Sequence, residues 1–185
     1  MSGKNIEVEL RSFITKEKYE ELLEFFRENS ELVKEDFQET HYFDCEADLR
    51  IQKNNAGSKI WLKHGKIHDD AREEVEIKLG DEDFEKANKI FSAINLKAEI
   101  IWLRDRKQFN WQGIKVCLDF TKGYGYIIEL EKIVNSDEEK EKVLEELKQK
   151  MRELEIEISS KEEFEKQFEN YKQNWRELIQ NGNTS

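Results

Sequence analysis

The chain contains no proline, so no turn can use a pre-set φ angle and the turns fall to Gly, Asn and Asp. Cysteine is nearly absent too. Cys45 and Cys117 sit in apolar, strand-like stretches without metal-ligand spacing, which predicts reduced core thiols rather than a disulfide framework or zinc site. No window approaches the roughly 18 apolar residues of a membrane span, and "MSGKN" lacks the apolar stretch of a signal peptide, so a cytoplasmic chain with no membrane partner is expected. Positive charge is in deficit: 31 Lys and Arg against 42 Asp and Glu give a formal charge of −11. That balance excludes a general nucleic-acid surface while leaving room for a local basic pocket. There is no P-loop, dinucleotide glycine fingerprint or Ser/His/Asp arrangement.

What is present is charge, in 39% of 185 residues, laid out with β-type alternation. The length suits one domain with a real core. In "IEVELR" (6–11), Ile6, Val8 and Leu10 alternate with Glu7, Glu9 and Arg11, and residues two apart on a strand share a face. Strands are also predicted at "DFQETHYFD", "DLRIQK", "SKIWLKH", "REEVEIKLG", "KAEIIWLRDRKQFN", "IKVCLDF" and "YIIELEKIV", with "EIEIS" as a short addition. Helices are predicted at "KEKYEELLEFFREN" after a Thr15 cap and at "EDFEKANKIFSAIN" after Asp81. A third runs from the capping box Ser136/Glu139 to about residue 154, and a last from Ser160/Glu163 to about 180, interrupted near Asn170. About eight strands joined mostly by hairpin-length turns predict an antiparallel sheet, possibly a barrel, with helices on its apolar side.

Nearly every strand carries ionisable groups on its second face. They are Glu7, Glu9 and Arg11; Arg50; Lys63 beside Trp61; Arg72, Glu74, Glu76 and Lys78; Arg104 and Arg106; Lys115; and Glu129 and Glu131. Two arrangements satisfy this pattern. The charged faces can line an interior, with the helices covering the apolar faces outside, or they can face water as cross-strand ion pairs of about 0.2–1 kcal/mol each. An interior containing both signs suits a polyanion carried with Mg²⁺ or Mn²⁺, since carboxylates bind the cation and Arg and Lys bind phosphoryl oxygens. The loop histidines His64 and His68 have no metal-site spacing and read as solvated.

These residues, taken in order, resemble the CYTH proteins, or triphosphate tunnel metalloenzymes, which include class IV adenylyl cyclases and thiamine triphosphatases. Glu7-Val8-Glu9-Leu10-Arg11 is similar to the family's E-x-E-x-K, "THYFD" to T-x-Y-F-D, "LRIQ" to L-R-x-R, "REEVE" to R-x-E-x-E and "RDRKQF" to K-x-R-x-x-Y. "IWLK" matches the strand ending in a phosphate-binding Lys. "CLDFTKGYGYIIELE" resembles L-D-x-x-x-G-x-G-x-[FY]-x-E-x-E, and "NYKQNWRELI" the S-Y-x-x-L-L terminus of the cyclase-type branch. Three positions depart from the pattern: Arg11 and Arg104 stand where Lys is usual, and Gln52 stands where a second lumenal Arg is usual, with Lys53 pointing to the other face.

The resemblance implies a single α+β domain, core about 5–180, built as a closed eight-stranded antiparallel barrel with a charged lumen and helices packed outside. It implies Glu7, Glu9, Glu129 and Glu131 as metal ligands, joined by Asp119, for Mg²⁺ or Mn²⁺. Arg11, Arg50, Lys63, Arg104 and Arg106 would hold phosphoryl oxygens. Lys78 would join them or, like Arg72, pair with Glu74 and Glu76 instead. Glu7, Glu9, Arg11 and Arg106 are the catalytic candidates. The implied reaction is hydrolysis of ATP, thiamine triphosphate or inorganic triphosphate, or cyclisation of ATP, by a monomer or homodimer; a non-catalytic polyphosphate- or nucleotide-binding module is the alternative.

Overall fold

The computed structural model describes residues 6–63, 74–80 and 82–181; Asp81, His64, His68 and Arg72 lie outside them. The chain runs β1 (Ile6–Ile14), α1 (Lys16–Asn29), β2 (Glu31–Phe43), β3 (Asp48–Asn54), β4 (Gly57–Lys63), β5 (Glu74–Leu79), α2 (Asp83–Ala93), β6 (Ala98–Trp111), β7 (Ile114–Thr121), β8 (Gly125–Val134), α3 (Asp137–Glu153) and α4 (Lys161–Asn181). The strands form one eight-stranded antiparallel sheet in the order β1-β8-β7-β6-β2-β3-β4-β5.

Alternation decides which face each strand buries. Val8, Val116, Leu118, Ile128 and Leu130 turn to one side of the sheet, where α1 brings Tyr19, Leu22 and Phe26, and α3 brings Val143, Leu147 and Met151. A second cluster, around Phe43 and Ile51, is covered by Phe84 and Ala87 of α2. Helix α1 starts where the sequence places it, because Thr15 accepts a hydrogen bond from the Lys18 amide at 3.2 Å. Ser160 likewise accepts from the Glu163 amide at 3.1 Å. Ser136 makes no side-chain cap; Glu139 reaches instead to the Asn135 amide at 3.1 Å.

The expected closed barrel is not formed. The sheet ends at β1 and β5, which do not pair with each other. Part of the free edge of β1 is taken by the segment after α3: the Phe13 amide donates to Ser159 Oγ at 3.2 Å and the Ser159 amide to Ser12 Oγ at 3.0 Å. That segment, "EIEIS", is therefore held by side-chain hydrogen bonds and is not the extra strand its alternation suggests.

Nor do all helices pack on the apolar side. Helix α4, unbroken at Asn170, lies against the charged face, where Phe168, Tyr171 and Trp175 pack with Trp102, Tyr42 and Tyr124. The cause is the unequal length of β6 and β7, whose pairing stops at Arg104–Thr121 and leaves carbonyls of β6 without a strand partner. The Lys122 amide donates to Leu103 O at 2.9 Å, Tyr171 Oη to Ile101 O at 2.8 Å, and Trp175 Nε1 to Glu99 O at 2.6 Å. Two aromatic hydroxyl and indole groups thus continue the ladder that β7 abandons. Cys117 is buried as expected, but Cys45 is exposed in the β2–β3 connection, so only one of the pair is a core thiol.

Gly123 sits under α4 with φ +77°, and a Cβ there would lie 2.7 Å from Leu178 Cβ; Gly113, also at φ +77°, has open space around it. Gly113→Ala should therefore cost only the left-handed backbone term, about 1 kcal/mol, and Gly123→Ala about 2–3 kcal/mol because α4 must shift as well. Chemical denaturation of both variants measures the difference. Equal losses would mean that α4 does not seat on this turn.

Candidate functional site

Directly opposed residues in an antiparallel pair share a face, so the register places the charged side chains in rows across the sheet. One row reads Glu9, Glu131, Lys115; the next, Arg11, Glu129, Cys117, Gln108; the next, Phe13, Ile127, Asp119, Arg106, Asp36. Farther along, Thr121, Arg104 and Gln38 align, then Trp102, Thr40, Gln52, Lys59 and Lys78, then Ile100, Tyr42, Arg50, Trp61 and Glu76. The face therefore has an acidic wing on β1 and β8, a guanidinium pair on the central β6, and a basic wing on β3, β4 and β5.

In the acidic wing Glu9 lies directly across from Glu131, and Arg11 across from Glu129. Burial is the main force raising the Glu9 pKa above the usual carboxylate value; Glu129, Glu131 and Glu7 raise it further, against the pull of Arg11 3.5 Å away. Glu131 is buried and takes a 2.5 Å hydrogen bond from Lys115. Burial would lower the Lys115 pKa, but that bond and the Glu131 charge hold it above the usual lysine value.

Asp119 accepts both Nε and Nη2 of Arg106, at 2.8 and 2.7 Å, and lies 3.7 Å from Arg104. Arg106 also approaches Glu129 at 3.6 Å. The fork-to-carboxylate geometry makes Asp119 the group that aims the central guanidinium. Burial works against the Arg106 charge, yet the Asp119 hydrogen bonds and the Glu129 charge keep it firmly protonated. Between them Cys117 is an inert thiol, pushed up to about 12 by burial. Arg11 stacks on Phe164 of α4 at 5.2 Å, and Tyr124 lies within the fields of both Arg11 and Arg104.

In the basic wing Arg50 forms a bidentate pair with Asp48, 2.6 Å on both arms, and stacks on Tyr42 at 4.4 Å. Lys63 lies on β4 between Asp48 and Glu74 in the register, and its side chain falls outside the described part. Lys53 points away, toward the Phe84 ring of α2. The sequence reading missed Lys59, whose place two residues before Trp61 was visible in "SKIWLK". It also missed Asp48 and Trp102 as neighbours of the site's arginines, because a charge or ring at a strand end carries no partner information.

A CYTH domain profile matches residues 5–165. The chain belongs to the CYTH family. A Methanocaldococcus jannaschii protein named "putative adenylate cyclase" is 32% identical over 134 residues, spanning 67% of this chain and 75% of that one. A conserved hypothetical protein of Pyrococcus furiosus superposes with a TM-score of 0.63 at 26% identity, covering 82% of this chain and 91% of the other. A Hippeastrum "putative adenylyl cyclase", described as revealing a dominant triphosphatase activity, gives a TM-score of 0.57 at 20% identity, covering 85% and 93%.

The resemblance to the CYTH proteins raises the question of a divalent cation. The donor chemistry fits: Glu7, Glu9, Glu129 and Glu131 offer hard oxygens on adjoining strands, and the charges of the other three add to the partial burial that raises the Glu9 pKa. Among the described residues no three His, Cys, Asp or Glu are drawn up around one point. Glu129 and Glu131 instead turn to Arg106 and Lys115.

The raised Glu9 pKa has a definite sign in stability. Between the ordinary and the raised value the folded state holds a proton that the unfolded chain releases, so stability falls as pH rises through that window and stays lower above it. Because the side chain is 43% exposed, solvent screens the penalty. Glu9→Gln should raise Tm at pH 7 by roughly 1–3 °C and leave it unchanged below the ordinary glutamate range. A loss of stability at both pH values would contradict the like-charge cluster.

Proposed function

We propose that this CYTH protein cleaves a phosphoanhydride bond of a small triphosphate bound along the charged face. The observation that carries the reading is the adjacency of the acidic wing to Arg104 and Arg106, both held by Asp119. A polyanion needs the guanidinium groups, and the carboxylates beside them have no use for an anion unless a cation comes with it. The Methanocaldococcus relative, by name a "putative adenylate cyclase", supports the same substrate class.

Arg104 and Arg106 hold oxygens of the phosphoryl group under attack and of the bridging oxygen that leaves, where negative charge grows in the transition state. Arg11, steadied by Phe164, and Arg50, steadied by Asp48 and Tyr42, hold the rest of the chain of phosphates. A carboxylate of β1, Glu7 or Glu9, stands on the charged face where an oxygen not engaged with the cation can take the proton of the attacking hydroxyl. If it belongs to water attacking the terminal phosphorus, the new P–O bond makes orthophosphate while the bond to the bridging oxygen breaks and the diphosphate part of the substrate leaves. If it is the ribose 3′-hydroxyl of ATP, attack at the α-phosphorus gives cyclic AMP and pyrophosphate. Glu7, Glu9, Glu129 and Glu131 would hold Mg²⁺ or Mn²⁺, which supplies charge neutralisation and Lewis acidity at the phosphoryl oxygens.

Product analysis with ATP, thiamine triphosphate and inorganic triphosphate in Mg²⁺ or Mn²⁺ tests the reading. Release of phosphate, pyrophosphate or cyclic AMP is expected from at least one of them. Glu9→Gln should reduce turnover by a factor of about 10² or more while the protein stays folded. No product from any of the three substrates, or full activity in the variant, would refute the assignment.

A further inference from the structure

The basic wing contains an arrangement that a purely structural sheet would avoid. Lys59 and Lys78 are directly opposite one another on β4 and β5. Like charges in that position repel and destabilise a strand pair. Glu76 contacts Lys59 at 2.7 Å and also lies in the field of Lys78, which among the described residues makes no close ion pair, so one carboxylate serves two ammonium groups. Next in the same row stands Gln52, whose side-chain amide is spent on Thr40 at 2.9 Å. Trp61, on the same face, lies with its ring 4.5 Å from Lys59 Nζ and 5.6 Å from the Arg50 guanidinium. The residue is only 6% exposed, yet among the described residues its indole N–H has no acceptor. Surplus positive charge and an idle buried donor, side by side on the charged face, are what an anion subsite presents before its anion arrives.

We infer that Lys59, with Lys78 and the Trp61 indole, forms a phosphoryl-binding subsite on β4 and β5 that supplies the positive charge Gln52 does not. This inference rests on the triphosphate reading above and extends it. The terminal phosphoryl group lies toward β4 and β5, so a chain of three phosphates gains more from this subsite than a chain of two. Glu76 is the built-in competitor: it holds Lys59 in place when the site is empty and is displaced as a partner when a phosphoryl oxygen arrives.

Isothermal titration of the full chain with inorganic tripolyphosphate and with pyrophosphate, in Mg²⁺, provides the test. Lys59→Met should weaken tripolyphosphate about tenfold and pyrophosphate much less. Adding Gln52→Arg to Lys59→Met should recover most of the loss, because both side chains stand in one row. Glu76→Gln should tighten tripolyphosphate a few-fold by freeing Lys59, and Trp61→Phe, which keeps a ring but removes the N–H, should weaken it a few-fold. Melting temperatures confirm that each variant is folded. Unchanged affinity in Lys59→Met, or a loss that Gln52→Arg does not recover, overturns the subsite. If the unsubstituted protein binds tripolyphosphate but these variants do not differ from it, the subsite alone is wrong. If the unsubstituted protein binds no triphosphate at all, the broader reading of the charged face falls with it.

Discussion

The register of β1 against β8 sets two glutamates directly across from each other, Glu9 and Glu131, with Glu129 one row away. A sheet selected only for stability would interleave opposite charges here, as the exposed i,i+3 pairs of α1 and α3 do. Instead the strain is absorbed by a layered arrangement. Lys115 engages Glu131, and Arg106, gripped through Nε and Nη2 by Asp119, approaches Glu129 with that same Nη2. Each of these groups is of a type that binds a phosphate or a cation, and here they hold one another in one connected network.

The rest of the fold makes such a network possible by keeping apolar and ionic chemistry on opposite sides of one sheet. Helices α1, α2 and α3 cover the apolar side, which leaves the other face free to carry charge. Helix α4 covers only the end of that face where the rows turn aromatic, at Trp102, Tyr42 and Tyr124. Its docking is fixed by hydrogen bonds to the β6 carbonyls and by the close approach at Gly123. Phe164 at its start reaches Arg11, so the helix that finishes the core also steadies a cation of the site.

Much of this was legible in the alternation. The faces on which Glu7, Glu9, Arg11, Arg50, Arg104, Arg106, Glu129 and Glu131 stand follow from period two alone, and Thr15 and Ser160 announced their helices. Closure was not legible, because whether β1 meets β5 depends on how the edges are spent, and Ser12 and Ser159 spend part of one. The role of Asp119 was hidden as well. In sequence it is one more acid near Glu129; only the β6–β7 register, which puts it opposite Arg106, makes it a partner of guanidinium. The side taken by α4 was obscured for a similar reason. Tyr171 and Trp175 look like ordinary helix core until β6 is seen to outrun β7.

The coexistence of an acidic and a basic wing on one face, in a chain of formal charge −11, has a consequence that binding can expose. On the proposed reading, carboxylates beside Arg104 and Arg106 would repel a bare polyanion and favour one that brings a divalent cation. The most direct measurement is the affinity for inorganic tripolyphosphate by calorimetry, with Mg²⁺ and with EDTA. Binding that is at least tenfold tighter with Mg²⁺ is predicted. Equal or tighter binding in EDTA would show that the carboxylates of β1 and β8 take no part in the site, and would contradict the account.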